Sequence, residues 1–487
     1  MKLLKDILYG AGLTAVNGST DILVNEIQFD SRKVAMDDVF IAIKGTLTDG
    51  HLYIQKAVDL GAKAIVCEEL PELLVNGITY VQVADGNTAL AVMASNFYGN
   101  PSKNLKLVGV TGTNGKTTIS SLLYQLFKKA GYKVGLLSTI KIMVDDEVHS
   151  TTHTTPDALT INKHLSFMND AGVEYCFMEV SSHGIHQKRT KGLVFEGAIF
   201  TNLSHDHLDY HKTFAEYRDT KKILFDELPK TAFALTNLDD KNGNVMLQNT
   251  KARKLTYALK SYADYRGQVL EAQFSGQLIK VNDHEFWTKL IGHFNAYNLL
   301  AIYATADQLG LDNLEALRLM SELDNVDGRF QYFISETKIT AIVDYAHTPD
   351  ALKNVLETIG TLRTGNERVI TVVGCGGDRD SSKRPVMGHI ASEMSNQAIF
   401  TSDNPRGESP GAIIKDMEAG VEAHNVKKIL SIENREQAIK AACQMASAQD
   451  IILVAGKGHE TYQEANGKRI DFDDFKIVKA QLMGLNK

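Results

Sequence analysis

An α/β architecture is predicted for this chain by its length, by the spacing of its apolar runs and by one glycine-rich loop set between a strand and a helix. The 487 residues suffice for roughly three domains at about 150 residues each, every one large enough for its own core. Short apolar runs recur along the chain at LKLVGV (105–110), KVGLLS (133–138), EYCFMEV (174–180), GAIFTNL (197–203), ITAIVDY (339–345), RVITVVG (368–374), QAIFTSD (397–403) and DIILVAG (450–456), with helical patterns between them. Unbroken apolar strands of this kind are buried on both faces, which implies mostly parallel sheets covered by helices. Polar turns at Gly99-Asn100-Pro101-Ser102 and Asp327-Gly328-Arg329-Phe330 divide the chain into segments near 1–100, 101–331 and 332–487.

Composition narrows the function. The chain is 44% apolar and 23% charged, close to the globular average, and 52 basic against 59 acidic residues leave a net charge of −7. A non-specific nucleic-acid binder, which needs a basic face, is therefore disfavoured. Cys67, Cys176, Cys375 and Cys443 lie far apart with no CxxC spacing, so neither a disulfide framework nor a structural zinc site is suggested. Lys5 and Asp6 interrupt the start MKLLKDILYG, and no run of about 18 apolar residues follows anywhere. A cytoplasmic monomer without membrane insertion is expected.

The first element of the central segment, LKLVGV, runs into Thr111-Gly112-Thr113-Asn114-Gly115-Lys116-Thr117-Thr118 and then into the helical pattern ISSLLYQLFKKAG. In this strand, loop, helix context backbone N–H groups cradle phosphates, Lys116 neutralises them and the Thr117 hydroxyl reaches Mg²⁺, as in a P-loop. Val110 stands where the consensus has its first glycine. The next strands end in Glu179-Val180-Ser181-Ser182-His183 and Asn202-Leu203-Ser204-His205-Asp206-His207. Parallel sheets place chemistry at such carboxyl ends, so Glu179 and His207 are candidate ligands of one magnesium ion. His205, His207 and His211 also have zinc-like spacing, but no cysteine or HExxH pattern supports it.

Eight motifs in order resemble the Mur ligase family, ATP-dependent enzymes that add amino acids to the peptidoglycan precursor: TGTNGKTT (111–118), MEVSSHGIHQKR (178–189), TNLSHDHLDYH (201–211), GHFNAYN (292–298), DYAHTPDAL (344–352), GCGGDRDSSKRP (374–385), DNPR (403–406) and AGKGHE (455–460). The resemblance covers nearly the whole chain, and the family's P-loop also lacks the early glycine. It implies a UDP-binding N-terminal domain, a central P-loop NTPase-like domain with a mostly parallel sheet, and a Rossmann-like C-terminal domain that takes the amino acid. Within the family the motifs are most similar to members that add the third residue. That implies ATP with Mg²⁺, UDP-N-acetylmuramoyl-L-alanyl-D-glutamate and meso-2,6-diaminopimelate; an L-lysine-adding member or a folylpolyglutamate-type ligase is the alternative, the latter disfavoured by DNPR and GCGGDRD.

Carried onto this sequence, the resemblance implies that Ser31 and the Thr46 to Thr48 turn lie near the uridine nucleotide. His153, Thr154, Thr155, Ser181, Gln187 and Arg189 would hold the muramoyl-peptide, His153 standing where many relatives have Asn. ATP would contact Gly112, Thr113, Asn114, Gly115, Lys116, Thr117 and Thr118, with Asn295 and Asn298 on the adenine side, Arg329 from the hinge between segments and Asp344 from the third segment. Lys221, ten residues past His211 in FAEYRDTKKILFDEL, reads by itself as a solvated helix-face lysine. In the family the matching lysine is carbamylated by CO₂ and joins Thr117, Glu179 and His207 around Mg²⁺, Lys222 being its decoy. Arg379, Asp403, Asn404, Pro405, Arg406, Gly456 and Glu460 would form the amino-acid site. Without the family, Gly374-Cys375-Gly376-Gly377-Asp378-Arg379 is only a weak dinucleotide fingerprint, since Arg379 occupies the place of its third glycine.

Overall fold

The computed structural model describes residues 1–45, 48–151 and 153–487, with the backbone alone at 208 and 209. Each of the eight apolar runs forms a strand, and these strands are the parallel hearts of two large sheets. An N-terminal sheet of five short strands orders as Leu13–Asn17, Thr79–Val83, Ala64–Cys67, Val39–Ile41 and Ile27–Gln28, and its core includes Val39, Ile41, Val66 and Val81 beneath the helix Gly86–Phe97.

At the middle of an eleven-stranded sheet lies Lys106–Thr111, between Tyr175–Glu179 and Gly197–Phe200, parallel to both. Val134–Leu137 lies beyond Tyr175–Glu179, so the strand order reverses beside the phosphate loop, where α/β sheets bind ligands. Leu107, Val108 and Val110 are fully buried, and the helix Lys116–Lys129 covers this centre with Ile119, Leu122, Leu123, Leu126 and Phe127. Each such side chain contributes about 1.5–3 kcal/mol relative to exposure, which anchors the strand and helix flanking the loop. The sheet is extended by an antiparallel meander, Tyr265–Gln273, Gly276–Val281 and His284–Thr288.

The C-terminal sheet orders as Gln331–Ile334, Thr340–Asp344, Ile451–Ala455, Val369–Val373, Gln397–Phe400 and Ile429–Ser431, parallel except for the first strand. Its carboxyl ends carry Asp344, the Gly374–Arg379 loop, Asp403–Arg406 and Gly456–Glu460 along one edge. All four cysteines are free and buried; burial pushes the Cys67 thiol up to about 11, Cys375 and Cys443 to about 12, and Cys176 further still. Among the described residues no helix is long and apolar enough to cross a membrane.

Candidate active site

The loop 112–115 is fastened to the end of the neighbouring strand. Asn202 accepts from the Thr113 N–H through its carbonyl (2.8 Å) and from the Asn114 N–H through Oδ1 (3.0 Å), while Thr201 Oγ1 donates to the Asn114 carbonyl at 2.6 Å. Gly112 has φ +148°, and a Cβ there would collide with Thr201 Oγ1, so this approach requires glycine. Gly115 starts the helix without a side-chain cap, leaving first-turn N–H groups directed at the loop. Asn298, whose amide donates to Asn295 Oδ1 (3.1 Å), abuts Gly115 and places both asparagines beside the loop. Thr118 is buried behind it.

Two groups converge here and share Lys116. In the first, the wholly buried Glu179 carboxylate accepts from the Thr117 hydroxyl (3.0 Å), the Thr139 N–H (2.7 Å) and the Thr139 hydroxyl (3.1 Å). Burial raises the proton affinity of Glu179, against the pull of Lys116. Arg329 reaches in from the hinge before the third segment: its Nη2 donates to Thr117 Oγ1 at 3.1 Å and its guanidinium lies 4.5 Å from the Tyr345 ring centre. Asp344 accepts from the Phe330 N–H (2.6 Å), and burial raises its carboxyl to about 6.

In the second group, Lys116 and Lys221 both donate to the Gly112 carbonyl at 2.9 Å. Lys221 is 1% exposed, so the solvated helix-face reading is corrected: the helix Phe214–Asp226 turns this lysine inward, its Nζ 4.6 Å from the Tyr217 ring centre. Burial, then repulsion by Lys116, holds its amine well below the ordinary lysine range. Lys222 is buried too but pairs with Asp226 at 2.6 Å. Asp206 and His207 complete the group, His207 Nε2 lying 3.5 Å from Asp206 Oδ2. Although 43% of the His207 side chain is exposed, its crowded recess lowers the ring to about 4, so the imidazole is neutral at physiological pH. Against the cost of burial, the carboxyl of Asp206 is held below its usual range by His207 and His347 when these rings are protonated and by Lys383 and Lys116.

Magnesium prefers hard oxygen donors, and the Thr117 hydroxyl and Glu179 carboxylate supply two at 3.0 Å from one another beside the phosphate loop. A neutral His207 can add a nitrogen, so this donor set fits the ion. The zinc-like spacing builds no cluster: among the described residues no three His, Cys, Asp or Glu side chains are arranged to hold a metal. His211 is instead buried against the Tyr210 and Tyr217 rings.

The residues proposed for the muramoyl-peptide cluster one strand away. Thr155 Oγ1 donates to the Glu179 carbonyl and accepts from the Ser181 N–H, both at 2.9 Å, and Ser181 Oγ caps the short helix Ser182–His186. Arg189 donates to the Thr155 carbonyl and to Gln187 Oε1, and Thr154 accepts from Thr139. His153 is largely exposed near this group, and partial desolvation by its neighbours, then the Arg189 charge, lower the proton affinity of its ring. Ser31 belongs to the N-terminal unit, buried in a turn capped by Asp30, and Thr46 lies outside the described residues.

A second pocket is built at the edge of the C-terminal sheet. Gly377 packs so closely on the Pro405 carbonyl that a Cβ would collide with it, and Arg406 Nη1 donates to the Gly377 carbonyl at 2.7 Å. The hairpin Tyr462–Ala465 and Lys468–Asp471 laces this loop: Glu464 donates to Asn404 Oδ1, Arg406 to the Glu464 carbonyl and Gln463 to the Asp403 carbonyl. Glu460 accepts from Asn404 Nδ2 at 2.8 Å, Gly456 packs on Asp403, and Arg379 is exposed at the loop tip. Sequence reasoning passed over Thr139, at the carboxyl end of the strand Val134–Leu137, and Lys457, inside AGKGHE; the strand-end rule that found Glu179 applies to both.

A phosphate loop crowded with cations, joined by Arg329 to a mixed-charge pocket on a separate sheet, is the arrangement of an ATP-dependent amide-bond-forming ligase. Family models agree across the chain: Mur ligase family, catalytic domain, matches residues 23–98, Mur ligase middle domain 110–306, and Mur ligase, glutamate ligase domain, 328–458. The chain is 54% identical over 485 residues to the UDP-N-acetylmuramoyl-L-alanyl-D-glutamate–2,6-diaminopimelate ligase of Cytophaga hutchinsonii, covering 99% of this chain and 100% of that protein. It is 53% identical to the protein of the same name from Phocaeicola vulgatus, covering 98% and 99%. A solved structure of a ligase with this name superposes with a TM-score of 0.69 at 33% identity, covering 100% of this chain and 99% of that one. The chain belongs to the Mur ligase family.

Proposed function

We propose that this chain joins meso-2,6-diaminopimelate to UDP-N-acetylmuramoyl-L-alanyl-D-glutamate at the expense of ATP, supplying a cytoplasmic precursor of peptidoglycan. The observation that carries the acceptor assignment is the grouping of Arg406, held on the Gly377 carbonyl, with Asp403, Asn404 and Glu460 at one sheet edge. A guanidinium suits the distal carboxylate that distinguishes diaminopimelate from L-lysine, and the carboxylates suit its distal ammonium. Segments 1–100, 101–331 and 332–487 serve as the UDP-, ATP- and amino-acid-binding domains of a monomer. By the family resemblance Ser31 and Thr46 serve the uridine nucleotide, and His153, Thr154, Thr155, Ser181, Gln187 and Arg189 the muramoyl-peptide.

An amine does not displace hydroxide from a carboxylate at a useful rate, so the D-glutamyl side-chain carboxylate first attacks the γ-phosphorus of ATP. An acyl phosphate forms and ADP leaves. The acceptor's amine then adds to the activated carbonyl, loses a proton and expels inorganic phosphate, leaving the amide. Lys116, the loop N–H groups and Arg329 stabilise charge on the transferring phosphoryl group, while Asn295 and Asp344 help seat the nucleotide. Thr117, Glu179, His207 and Lys221 as its carbamate would hold magnesium, which would supply further charge neutralisation. The buried Lys221 amine suits carbamylation because its low proton affinity leaves the nitrogen lone pair free for CO₂. An amino-acid panel with the UDP-muramoyl-dipeptide and ATP tests this function, with phosphate release expected for diaminopimelate. Preference for L-lysine, or for a folate substrate, would overturn the assignment.

A further inference from the structure

Lys457 has no assigned part in the chemistry above, yet it is the most deeply placed charge of the acceptor pocket, with 0% of its side chain exposed. Its Nζ donates to Glu460 Oε2 at 2.9 Å and to Asn404 Oδ1 at 3.0 Å, and lies 3.9 Å from Asp403 Oδ1. An ammonium has three N–H donors and no acceptor, so Glu460 and Asn404 take two of them, and Asp403 stands farther off at ion-pair distance. Asn404 Nδ2 also donates to Glu460 Oε2. Both clamps thus grip one carboxylate oxygen, while Oε1 meets the Tyr345 hydroxyl only at 3.5 Å.

We propose that Lys457 is a positioning residue that holds Glu460 ionised and turned with Oε1 outward, as the counter-charge for the distal ammonium of the amino-acid acceptor. The inference rests on the acceptor-site reading above and adds a charge count to it. Asp403 and Glu460 carry two negative charges and Lys457 one positive, so the cluster keeps a single negative charge for one ammonium, beside Arg406 for one carboxylate. A zwitterionic distal end matches both. Burial and Asp403 already raise the proton affinity of Glu460, and Lys457 and Asn404 oppose them. The other charged or titratable groups facing Glu460 are Tyr345, Tyr462 and the buried Arg435. Without Lys457, Glu460 would bind a proton and stop attracting the ammonium.

The test is steady-state kinetics of Lys457→Met, Lys457→Arg and Glu460→Gln between pH 6.5 and 9.5, varying diaminopimelate and ATP separately. Lys457→Met should raise KM for diaminopimelate about 30-fold or more at neutral pH, from breaking a desolvated charge pair, and move KM for ATP little. That defect should shrink as pH rises and Glu460 ionises again, and Lys457→Arg, which restores the charge, should recover about ten-fold of it. A KM defect equal at every pH, or no defect, would overturn the proposal. If the Met variant does not fold, a pH-dependent KM in the Arg variant as steep as that expected for Met would overturn it equally. An unchanged KM in Glu460→Gln would instead sink the acceptor-site reading itself.

Discussion

Lys221 and Lys222 are adjacent lysines on one helix, both buried, and their surroundings assign them opposite fates. Lys222 closes an ion pair with Asp226, a partly exposed i,i+4 contact worth about 0.5 kcal/mol, so Lys222→Ala should leave turnover within about two-fold. Lys221 shares the Gly112 carbonyl with Lys116, and as a carbamate it would bring a negative charge beside the loop. Its removal forfeits several kcal/mol of phosphoryl-charge stabilisation, so Lys221→Ala should lower kcat roughly 100- to 10,000-fold while nucleotide still binds. Short carboxylic acids should restore part of the activity; near-normal turnover in the Ala variant would remove the carbamate from the mechanism. Asp344 gives a pH prediction of the less usual sign. Its folded value of about 6 lies above the unfolded 3.8, so its proton is held more tightly in the native state. Its contribution to stability is therefore fully present below the unfolded value and is lost as pH rises through about 6, roughly 3 kcal/mol in all. Thermal melts should show this decline in the wild type and a flatter profile in Asp344→Asn.

The strand Ile451–Ala455 shows how an element delivers a loop. Arg435 and Asp474, from the helices Arg435–Met445 and Asp474–Gly484, are both 0% exposed and paired at 2.7 Å, and Arg435 Nη2 also donates to the Ala455 carbonyl at 3.0 Å. Both helices thus secure the last residue before Gly456–Glu460. Arg435→Met would strand Asp474 as an uncompensated buried charge, an expected loss of about 3–5 kcal/mol in denaturant unfolding; adding Asp474→Leu should restore much of it. Arg406 is held by the hairpin beside it, and Arg406→Ala should cost about 2–5 kcal/mol of transition-state binding, a 30- to several-thousand-fold loss in kcat/KM for diaminopimelate. The sequence made some elements far more legible than others, for physical reasons. Central strands such as Lys106–Thr111 and Ile451–Ala455 are buried on both faces and read as unbroken apolar runs. The strand Tyr265–Gln273 escaped notice because most of its residues beyond Gly267 stay exposed, leaving no apolar signature. Glu179 was legible because a strand end leads to it. Lys457 also follows a strand end, yet a lysine between two glycines reads as a solvated turn until Glu460 and Asn404 are seen around it in space.

Across the whole molecule, the units meet through local polar contacts and apolar seams, Ala158 and Leu159 packing in the N-terminal core and Ile291 and Phe294 in the C-terminal one. Arg329 to Thr117 and Asn114 Nδ2 to Asp350 Oδ2, both 3.1 Å, connect the C-terminal unit to the phosphate loop. Lys188 and Asp85, 3.1 Å apart, connect the central and N-terminal units. Seams of this local kind suit units that adjust around their substrates and keep water from the acyl phosphate. Small-angle scattering with ADP, Mg²⁺ and UDP-muramoyl-tripeptide should therefore show a smaller radius of gyration than the free protein, and an unchanged value would count against closure. The four buried cysteines make that motion accessible in a further way. A thiol reacts as its thiolate, and here each is both shielded and held protonated, so the native surface offers maleimide dyes no competing target. Single cysteines introduced on the N-terminal and C-terminal units would take a donor and acceptor fluorophore by themselves, and the intrinsic thiols, silent until the chain opens, would serve as a clock for its global unfolding.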